Sequence, residues 1–286
     1  MPEWFVDDRC TNCDVARQLA PGLIEQVGNR SKVIRQPRNN TEEAALVSAA
    51  FACPTKSIRL TDGRVPPALD PYPMALTPDV YFCGHNSYDT AGANSYLVIR
   101  PGGNLMIDTP RFSEPLAARY ERLGRITDVL LTHRDHAAHG RQYADRFGAK
   151  LWIHQGDLAA APDADRVVTQ RTDVVDGVTV YPFPGHTEGS VLFLVDDKYC
   201  FSGDSMYWSR RTGDIEVAET VTWFSIKVLA RTFAESVADL RFEWLLPGHG
   251  DRIRLPADEM SQRLQGLADR LQAYEEQEID FTAVRW

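Results

Sequence analysis

Four strand-like apolar runs in this chain each end at histidine or aspartate, and this arrangement constrains the fold more than any other feature. The four segments, which contain five of the seven histidines, are THRDHAAHG (132–140), PGHTEGS (184–190), FSGDS (201–205) and LLPGHG (245–250). Polar side chains at the ends of adjacent strands meet at one edge of a sheet, where the scaffold holds them rigidly. Imidazole and carboxylate together suit zinc, iron or manganese, so the pattern predicts a metal site.

Around these segments the sequence alternates strand and helix signals. SYLVIR (95–100) and NLMID (104–108) flank the turn PGG and predict a β-hairpin. SEPLAARYERL predicts a helix that begins after Ser113, and PADEMSQRLQGLADRL predicts a helix with four apolar side chains on one face. Those four are Met260, Leu264, Leu267 and Leu271. Strands and helices in this order predict an α/β (α+β) fold in which helices cover sheets.

The chain of 286 residues is long enough for two domains, and a proline-rich stretch marks a boundary between them. VPPALDPYPMALTP (65–78) holds five of the 17 prolines and has no clear period, which predicts an extended linker. We therefore divide the sequence into an N-terminal domain of residues 1–66, a linker of residues 67–79 and a second domain of residues 80–286.

Charge and hydropathy exclude two classes of partner. The net charge is -9, and after residue 66 the 32 acidic residues outnumber the 22 basic ones. An acidic domain is a poor match for nucleic acid, because phosphate contacts need clustered Lys and Arg. No apolar run reaches the roughly 18 to 20 residues of a membrane span, and MPEWFVDD lacks the features of a secretion signal. We expect no membrane partner and a cytoplasmic location.

The four segments, in this order, resemble the motifs of the metallo-β-lactamase family of metallo-hydrolases, from about Tyr81 to about Leu271. The resemblance implies an αββα sandwich with one or two metal ions at the edge between its sheets. The first segment departs from the family pattern H-x-H-x-D-H, because THRDH supplies His133, Asp135 and His136 but lacks one histidine.

Two alignments of this first segment are open. Counting forward from His133 places Asp135 at the second histidine, whereas counting back from His136 places His133 there. The segment up to FGAKLWIH is short for the family, which favours a deletion and leaves His139 as a spare imidazole. If a helix begins near Asp135, His139 lies three residues after His136 on the same face. We expect His139 to replace the lost ligand.

The resemblance implies two metal sites that share Asp204 as a bridging ligand. The first site would be formed by His133, His139 and His186. The second would be formed by Asp135, His136 and His249. Asp135 and His136 are also the candidate catalytic residues. A divalent ion with an open position lowers the pKa of bound water from 15.7 toward about 7 and polarises a carbonyl oxygen. Zinc, with iron and manganese as alternatives, would thus supply a metal-bound hydroxide that hydrolyses a small ester, thioester or lactone-like substrate.

Aromatic and basic residues after the third motif are candidates for substrate contacts. They are Trp208, Arg210, Arg211 and Trp223. An arginine in such a pocket could grip a carboxylate or phosphate group of the substrate. The alternative is that the aromatic side chains belong to the core and the arginines are solvated.

The N-terminal domain has a motif of its own. Cys10, Cys13 and the later Cys53-Pro54 resemble the C-x2-C-x2-C and C-P halves of a single-cluster ferredoxin, over about residues 3 to 62. Ala16 stands where the third cysteine of the pattern is expected, and alanine cannot bind iron. We consider a ferredoxin-like domain that has lost its iron-sulfur cluster, a three-cysteine cluster, and a disulfide or redox pair. Five cysteines, an odd number, fit a reducing compartment.

Three functions follow from these observations. The first is a metal-dependent hydrolase of a small molecule, with a cluster-free ferredoxin-like module that serves as an interaction or homodimer surface. The second is an iron-dependent oxidoreductase of the same fold, whose N-terminal domain transfers electrons or docks a redox-protein partner. The third is a non-catalytic binding protein with a degenerate metal site.

Overall fold

The computed structural model describes residues 2–280, 283 and 284. The chain forms two compact units. The first unit comprises the residues up to Val129 together with Ala138–Ala149, and the second comprises Leu130–Ala137 together with the residues from Lys150 onward. Within the described residues, no helix has both the length and the hydrophobicity of a membrane-spanning segment. The division of the sequence at residues 67–79 stays a prediction.

The N-terminal part of the first unit consists of two antiparallel strand pairs and two helices, in which β1 pairs with β4 and β2 with β3. The elements are β1 (Trp4–Val6), α1 (Val15–Leu19), β2 (Ile24–Val27), β3 (Arg30–Val33), α2 (Asn40–Ala52) and β4 (Ile58–Leu60). The side chain of Asn39 caps α2 by accepting a hydrogen bond from the backbone N–H of Glu42 (2.9 Å). The core of this part includes Trp4, Leu23 and Leu46.

The remainder of the first unit contains a sheet with the strand order β9-β8-β7-β6-β5. Its elements are β5 (Met74–Ala75), β6 (Val80–Phe82), β7 (Tyr96–Val98), β8 (Asn104–Ile107), α3 (Glu114–Glu121), β9 (Ile126–Leu130) and α4 (Gly140–Phe147). β7 and β8 are antiparallel, with Tyr96 opposite Ile107, which confirms the predicted hairpin around PGG. Helix α3 begins after Ser113, as predicted. The predicted linker carries the short strand β5, which pairs with β6.

The second unit is built around a sheet with the strand order β12-β13-β14-β15-β18-β19. Its elements are β10 (Lys150–His154), β11 (Arg166–Val168), β12 (Thr172–Val175), β13 (Val178–Pro182), β14 (Val191–Val195), β15 (Tyr199–Gly203), β16 (Tyr207–Ser209), β17 (Asp214–Glu216), α5 (Ile226–Ser236), β18 (Trp244–Pro247), β19 (Ile253–Arg254) and α6 (Ala257–Leu271). β10 and β11 are parallel neighbours, and β16 and β17 form an antiparallel hairpin.

Helices α5 and α6 complete the core of the second unit. The predicted apolar face of α6 is fully buried, since Met260, Leu264, Leu267 and Leu271 are each 0% exposed. They belong to one hydrophobic cluster with Leu245 of β18. This packing fixes the central strands, whose ends carry the polar motifs.

Candidate metal centre

Three of the predicted ligands follow strands of the second unit that run in the same direction. β15 and β18 are parallel neighbours in which Gly203 pairs with Pro247. β13 has the same direction as β15, because both are antiparallel to β14. His186, Asp204 and His249 come after the carboxyl ends of these three strands, so they emerge at one edge of the sheet.

Thr132 orients the first motif. The backbone N–H of Val191 donates to the carbonyl oxygen of Thr132 (2.9 Å), which ties the motif to the start of β14. The Thr132 hydroxyl lies 3.1 Å from Nδ1 of His133 and 3.3 Å from Nδ1 of His136. A hydroxyl that engages Nδ1 of a ring fixes the orientation of that ring and leaves its Nε2 available to a metal ion.

Asp204 connects two pairs of histidines. Within the described part of the chain, the sets of three candidate ligands whose atoms all lie within 4.8 Å of one another are His133, His186 and Asp204, and His136, Asp204 and His249. Oδ2 of Asp204 lies 3.7 Å from Nε2 of His133, 3.6 Å from Nε2 of His186 and 3.9 Å from Nε2 of His249. Oδ1 of Asp204 lies 3.5 Å from Nε2 of His136.

These residues fit divalent ions. Two ligand atoms about 2.1 Å from one tetrahedral ion are roughly 3.4 Å apart, close to the separations around Asp204. Neither Nε2 of His133 nor Oδ1 of Asp204 has a hydrogen-bond partner within the described residues, although both atoms are buried. Burial and the neighbouring imidazoles hold the pKa of His133 well below its ordinary value, so the ring is neutral, as a metal ligand must be.

Asp135 lies beside the first of these sets. Its Oδ2 is 3.4 Å from Nε2 of His186 and 3.7 Å from Nε2 of His133. Burial alone would raise the pKa of the Asp135 carboxyl, but the hydrogen bond with His186 and the nearby side chains of His136 and Arg134 hold it below its ordinary value. The sequence assigned Asp135 to a site with His136 and His249, whereas in the structure its carboxylate faces His133 and His186.

Two glycines allow the motifs to approach one another. A Cβ at Gly203 would lie 2.6 Å from Oγ1 of Thr132, and the φ of +50° at this residue is unfavourable for a side chain. A Cβ at Gly248 would lie 2.6 Å from Oδ1 of Asp204 and would also overlap the ring of His136. Glycine is therefore required where each of these parallel strands ends, at Gly203 and just after β18 at Gly248, for the carboxylate to reach the histidines.

His139 does not join either set of ligands. Its Nε2 lies 2.8 Å from Oγ of Ser87 and its Nδ1 lies 3.0 Å from Oε1 of Gln142, all within the first unit. The sequence argument required a helix that begins near Asp135. Instead, a 3₁₀ turn covers Arg134–His136 and α4 begins only at Gly140, so the expected helical spacing does not apply.

We expect the substitution His139→Ala to leave the metal content per chain unchanged, because both ring nitrogens of His139 are engaged by other side chains. The loss of these two hydrogen bonds should lower the free energy of unfolding by about 1 to 2 kcal/mol. Elemental analysis and denaturant unfolding of the purified variant measure the two effects. His133→Ala is the matched control and should lose metal; loss of a metal equivalent in His139→Ala would restore His139 as a ligand.

Asp157, which the sequence did not identify, joins the first two motifs. Its Oδ2 accepts hydrogen bonds from the backbone N–H of Arg134 (2.9 Å) and from the hydroxyl of Thr187 (2.6 Å). Its Oδ1 accepts from the backbone N–H of Gly189 (3.2 Å). Asp157 is 2% exposed. The only feature of the sequence that could have identified Asp157 is its position just after β10.

The predicted substrate residues have different surroundings. Arg210 forms a bidentate ion pair with Asp251 (2.8 and 2.5 Å), and the backbone of Trp208 pairs with that of Asp251. Arg210 is thus engaged in holding the segment after His249. The guanidinium of Arg263 lies 5.1 Å from the ring centroid of the partly buried Trp208, and Arg211 is exposed.

Trp223 and Phe224 belong to the segment that pairs with the backbone of His186, one of the predicted ligands. Trp223 is 37% exposed and Phe224 is 48% exposed. The backbone N–H of Phe224 donates to the carbonyl oxygen of His186 (3.0 Å). The exposed rings of these two residues are candidates for contact with an apolar part of a substrate.

The cysteines of the N-terminal motif line one pocket. Cys10, Cys13, Cys53 and Ala16 are among its lining residues, and all the cysteines are free thiols. Burial raises the pKa of Cys13 to about 12. Reactive C-x-x-C thiols have a lowered pKa, so this environment does not favour the redox pair considered above.

Two family models match the chain. Residues 6–60 match a model described as the 4Fe-4S single cluster domain of Ferredoxin I. Residues 75–224, more than half of the chain, match a model described as the metallo-beta-lactamase superfamily. Both of the resemblances predicted from the motifs are thereby confirmed.

Curated relatives match part of the chain. A hydroxyacylglutathione hydrolase from Cereibacter sphaeroides is 29% identical over 143 residues, which cover 48% of this chain and 56% of the relative. A hydroxyacylglutathione hydrolase from Acidiphilium cryptum is 31% identical over 118 residues, covering 40% of this chain and 49% of the relative. The chain thus spans about half the length of the curated relatives that it matches.

Solved structures confirm the fold class. The DIM-1 metallo-β-lactamase exposed to ceftazidime superposes with a TM-score of 0.53 at 19% identity, covering 68% of this chain and 95% of that one. A metallo-β-lactamase from Pontibacter korlensis superposes with a TM-score of 0.54 at 18% identity, covering 70% of this chain and 98% of that one. At this level of identity the likeness concerns the fold alone, a mixed α/β metallo-β-lactamase fold as predicted.

Proposed function

The chain belongs to the metallo-β-lactamase superfamily, and we propose that it is a metal-dependent hydrolase that cleaves a small thioester. The observation that carries this proposal is the carboxylate of Asp204, whose two oxygens face separate histidines. Asp204 would bridge two ions, one held with His133 and His186 and the other with His136 and His249. Asp135 would complete the first site in place of the missing histidine of the motif.

The chemistry divides between the ions and the side chains. When bound, divalent ions polarise the carbonyl of the substrate and supply a nucleophile at neutral pH. The side chain of Asp135 is 38% exposed, so it can accept a hydrogen bond from the attacking water and orient it. Thr132 and Asp157 keep the ligands in place during the reaction, and the rings of Trp223 and Phe224 can contact the apolar part of the substrate.

Two considerations favour a thioester among the predicted substrate classes. The curated relatives are named hydroxyacylglutathione hydrolases, and a hydroxyacylglutathione is an acyl thioester. A thiolate is also a good leaving group, because its conjugate thiol has a pKa of about 8.5 and needs no proton donor. In the proposed site the imidazoles and Asp204 are committed as ligands, so cleavage without a general acid is an advantage.

The test is a comparison of substrates with the zinc-loaded full chain. We expect a hydroxyacyl thioester of glutathione to be hydrolysed at least tenfold more efficiently, by kcat/KM, than the matching oxygen ester or a cephalosporin. Removal of metal with a chelator should abolish the activity, and added zinc should restore it. A cephalosporin as the best substrate would overturn the thioester proposal, and thioester hydrolysis that persists without metal would overturn the metal-dependent mechanism.

A further inference from the structure

Arg134 lies within the candidate metal centre but takes no part in the proposed mechanism. It stands between His133 and Asp135 in a 3₁₀ turn. Its backbone N–H donates to Oδ2 of Asp157 (2.9 Å), and its carbonyl oxygen accepts from the backbone N–H of Ala137 (3.2 Å). Because the main chain is held on both sides of the residue, the guanidinium extends from a fixed point beside the ligands.

The side chain of Arg134 has hydrogen-bond donors that the fold does not use. Within the residues that the structure describes, its guanidinium makes no hydrogen bond, and its Nε lies 3.6 Å from Oδ1 of Asp135. A guanidinium carries five N–H donors in a planar fork that matches a carboxylate. The side chain is 47% exposed, so a ligand can reach it. Other arginines of the second unit donate to carboxylate oxygens within 3.3 Å, namely Arg171, Arg210, Arg241, Arg254, Arg263 and Arg270.

The carboxylate of Asp135 separates this guanidinium from the first set of candidate ligands. That set comprises His133, His186 and Asp204. Oδ2 of Asp135 lies 3.4 Å from Nε2 of His186, and its other oxygen, Oδ1, faces Arg134. The guanidinium therefore lies about one carboxylate group away from the first set. An anionic group bound to Arg134 would be only a few covalent bonds from a carbonyl group held at that set.

The positive charge of Arg134 lacks a strong partner. In the proposed function Asp135 and Asp204 are metal ligands, so their negative charge is shared with divalent ions. An ion pair between exposed side chains contributes little by itself, and the pair of Arg134 with Asp135 is longer than a hydrogen bond. A carboxylate on the substrate would match the free fork of donors, since arginine binds carboxylates through two parallel hydrogen bonds.

We propose that Arg134 is a specificity-determining residue that binds a carboxylate of the substrate close to the scissile carbonyl. This role rests on the proposed thioester hydrolysis and narrows its substrates to one class. The class is a thioester that carries a carboxylate a few bonds from the thioester carbonyl, on the acyl side or on the thiol side. The carboxylates of glutathione lie farther from that carbonyl, so a neutral acyl group on glutathione falls outside the class.

Two pairs of thioesters test the proposal with the zinc-loaded full chain. The acyl-side pair consists of the succinyl and succinamyl thioesters of N-acetylcysteamine. The thiol-side pair consists of the butanoyl thioesters of 3-mercaptopropionate and 3-mercaptopropionamide. Within each pair only a carboxylate is exchanged for an amide. We expect kcat/KM to be about 10- to 100-fold higher for the carboxylate in one pair, which locates the group. Equal values within both pairs would overturn the proposal.

Variants of Arg134 separate a role in specificity from a structural role. Arg134→Gln should raise KM for the preferred carboxylate substrate by about 10- to 100-fold and leave kcat, the amide substrate and the metal content unchanged, because the ion pair forms equally in the ground and transition states. Arg134→Lys should retain part of the preference. Arg241→Gln, which removes an exposed arginine that pairs with Asp258, should behave as the natural chain. An equal loss with the carboxylate and amide substrates would assign Arg134 a structural role instead.

The binding of succinate distinguishes this proposal from the proposed function. In calorimetric titrations of the zinc-loaded chain, we expect succinate to bind at least tenfold more tightly than succinamate, and Arg134→Gln to remove the difference. If this result holds but no thioester is hydrolysed, the thioester function is overturned and the carboxylate site stands. If the natural chain and Arg134→Gln bind succinate equally, the carboxylate site is overturned even where thioesters are hydrolysed.

Discussion

The substitution Asp204→Ala is expected to abolish both metal binding and hydrolysis. Asp204 contributes one oxygen toward His136 and the other toward His133 and His186, so its loss leaves the second set with two imidazoles and the first with two imidazoles and the partly exposed carboxylate of Asp135. Both sets lose the buried carboxylate that they share, so both should bind a divalent ion far more weakly. We expect at least a thousandfold loss in kcat/KM, which corresponds to about 4 kcal/mol, and less than a tenth of the original metal. Elemental analysis and thioester hydrolysis measure the two effects.

Three further variants test whether Asp204 bridges two ions. His186→Ala and His249→Ala each remove a ligand from only one set, so each should keep about half of the metal that the natural chain holds. Asp239→Ala removes an exposed aspartate that pairs with Arg171 and should keep all of it. Full metal occupancy in Asp204→Ala would contradict the bridging role. Complete loss in both histidine variants would indicate that the sites fill only together.

The motifs after β13, β15 and β18 could be predicted because their signal is local. An apolar strand that ends at His186, Asp204 or His249 is visible within about six residues, and the shared direction of the strands then brings the side chains together. The strands and the amphipathic α6 were predictable for the same reason, since alternation and helical spacing are short-range patterns. The family models confirm the fold that these patterns suggested.

The first motif could not be predicted in detail because a small shift in backbone changes which of its side chains face the other motifs. The difference between an α-helix that begins near Asp135 and a 3₁₀ turn followed by α4 decides whether His139 or Asp135 approaches His186. Both alternatives are compatible with the sequence, because the motif lacks one histidine and His139 is an additional histidine close to it. The side chains of Ser87 and Gln142, which engage His139, decide the matter, and Ser87 lies 52 residues away in sequence.

Other roles depend on partners that are distant in sequence. Arg210 was a candidate substrate contact because a guanidinium can bind a carboxylate or phosphate group. In the structure Asp251, 41 residues later, engages this guanidinium. Asp157 had no recognisable motif at all, because its three donors come from segments on either side of it. Such contacts follow from the tertiary fold and leave no periodic or local trace.

Asp157→Ala is expected to have the second-largest effect. The substitution leaves the backbone N–H groups of Arg134 and Gly189 without their acceptor, whereas the hydroxyl of Thr187 still reaches that of Ser190 (2.9 Å). Each buried unsatisfied group costs about 1 to 3 kcal/mol, so the free energy of unfolding should fall by roughly 2 to 6 kcal/mol. Because the same contacts hold the segments that carry His133 and His186, metal affinity should fall by about 10- to 100-fold. Denaturant unfolding without metal and competition with a chelator measure the two effects separately.

The balance between these two effects distinguishes a residue that positions the ligands from one that only stabilises the fold. Asp157→Asn keeps one oxygen acceptor but presents an N–H group to one of the three donors, so we expect intermediate losses in both measurements. Asp173→Ala, which removes the acceptor of an exposed hydrogen bond from Thr179, should change stability by less than about 1 kcal/mol and leave metal affinity intact. An Asp157→Ala variant that is less stable but binds metal as tightly as the natural chain would refute the positioning role. The histidines would then be held in place by Thr132 and the strand ends alone.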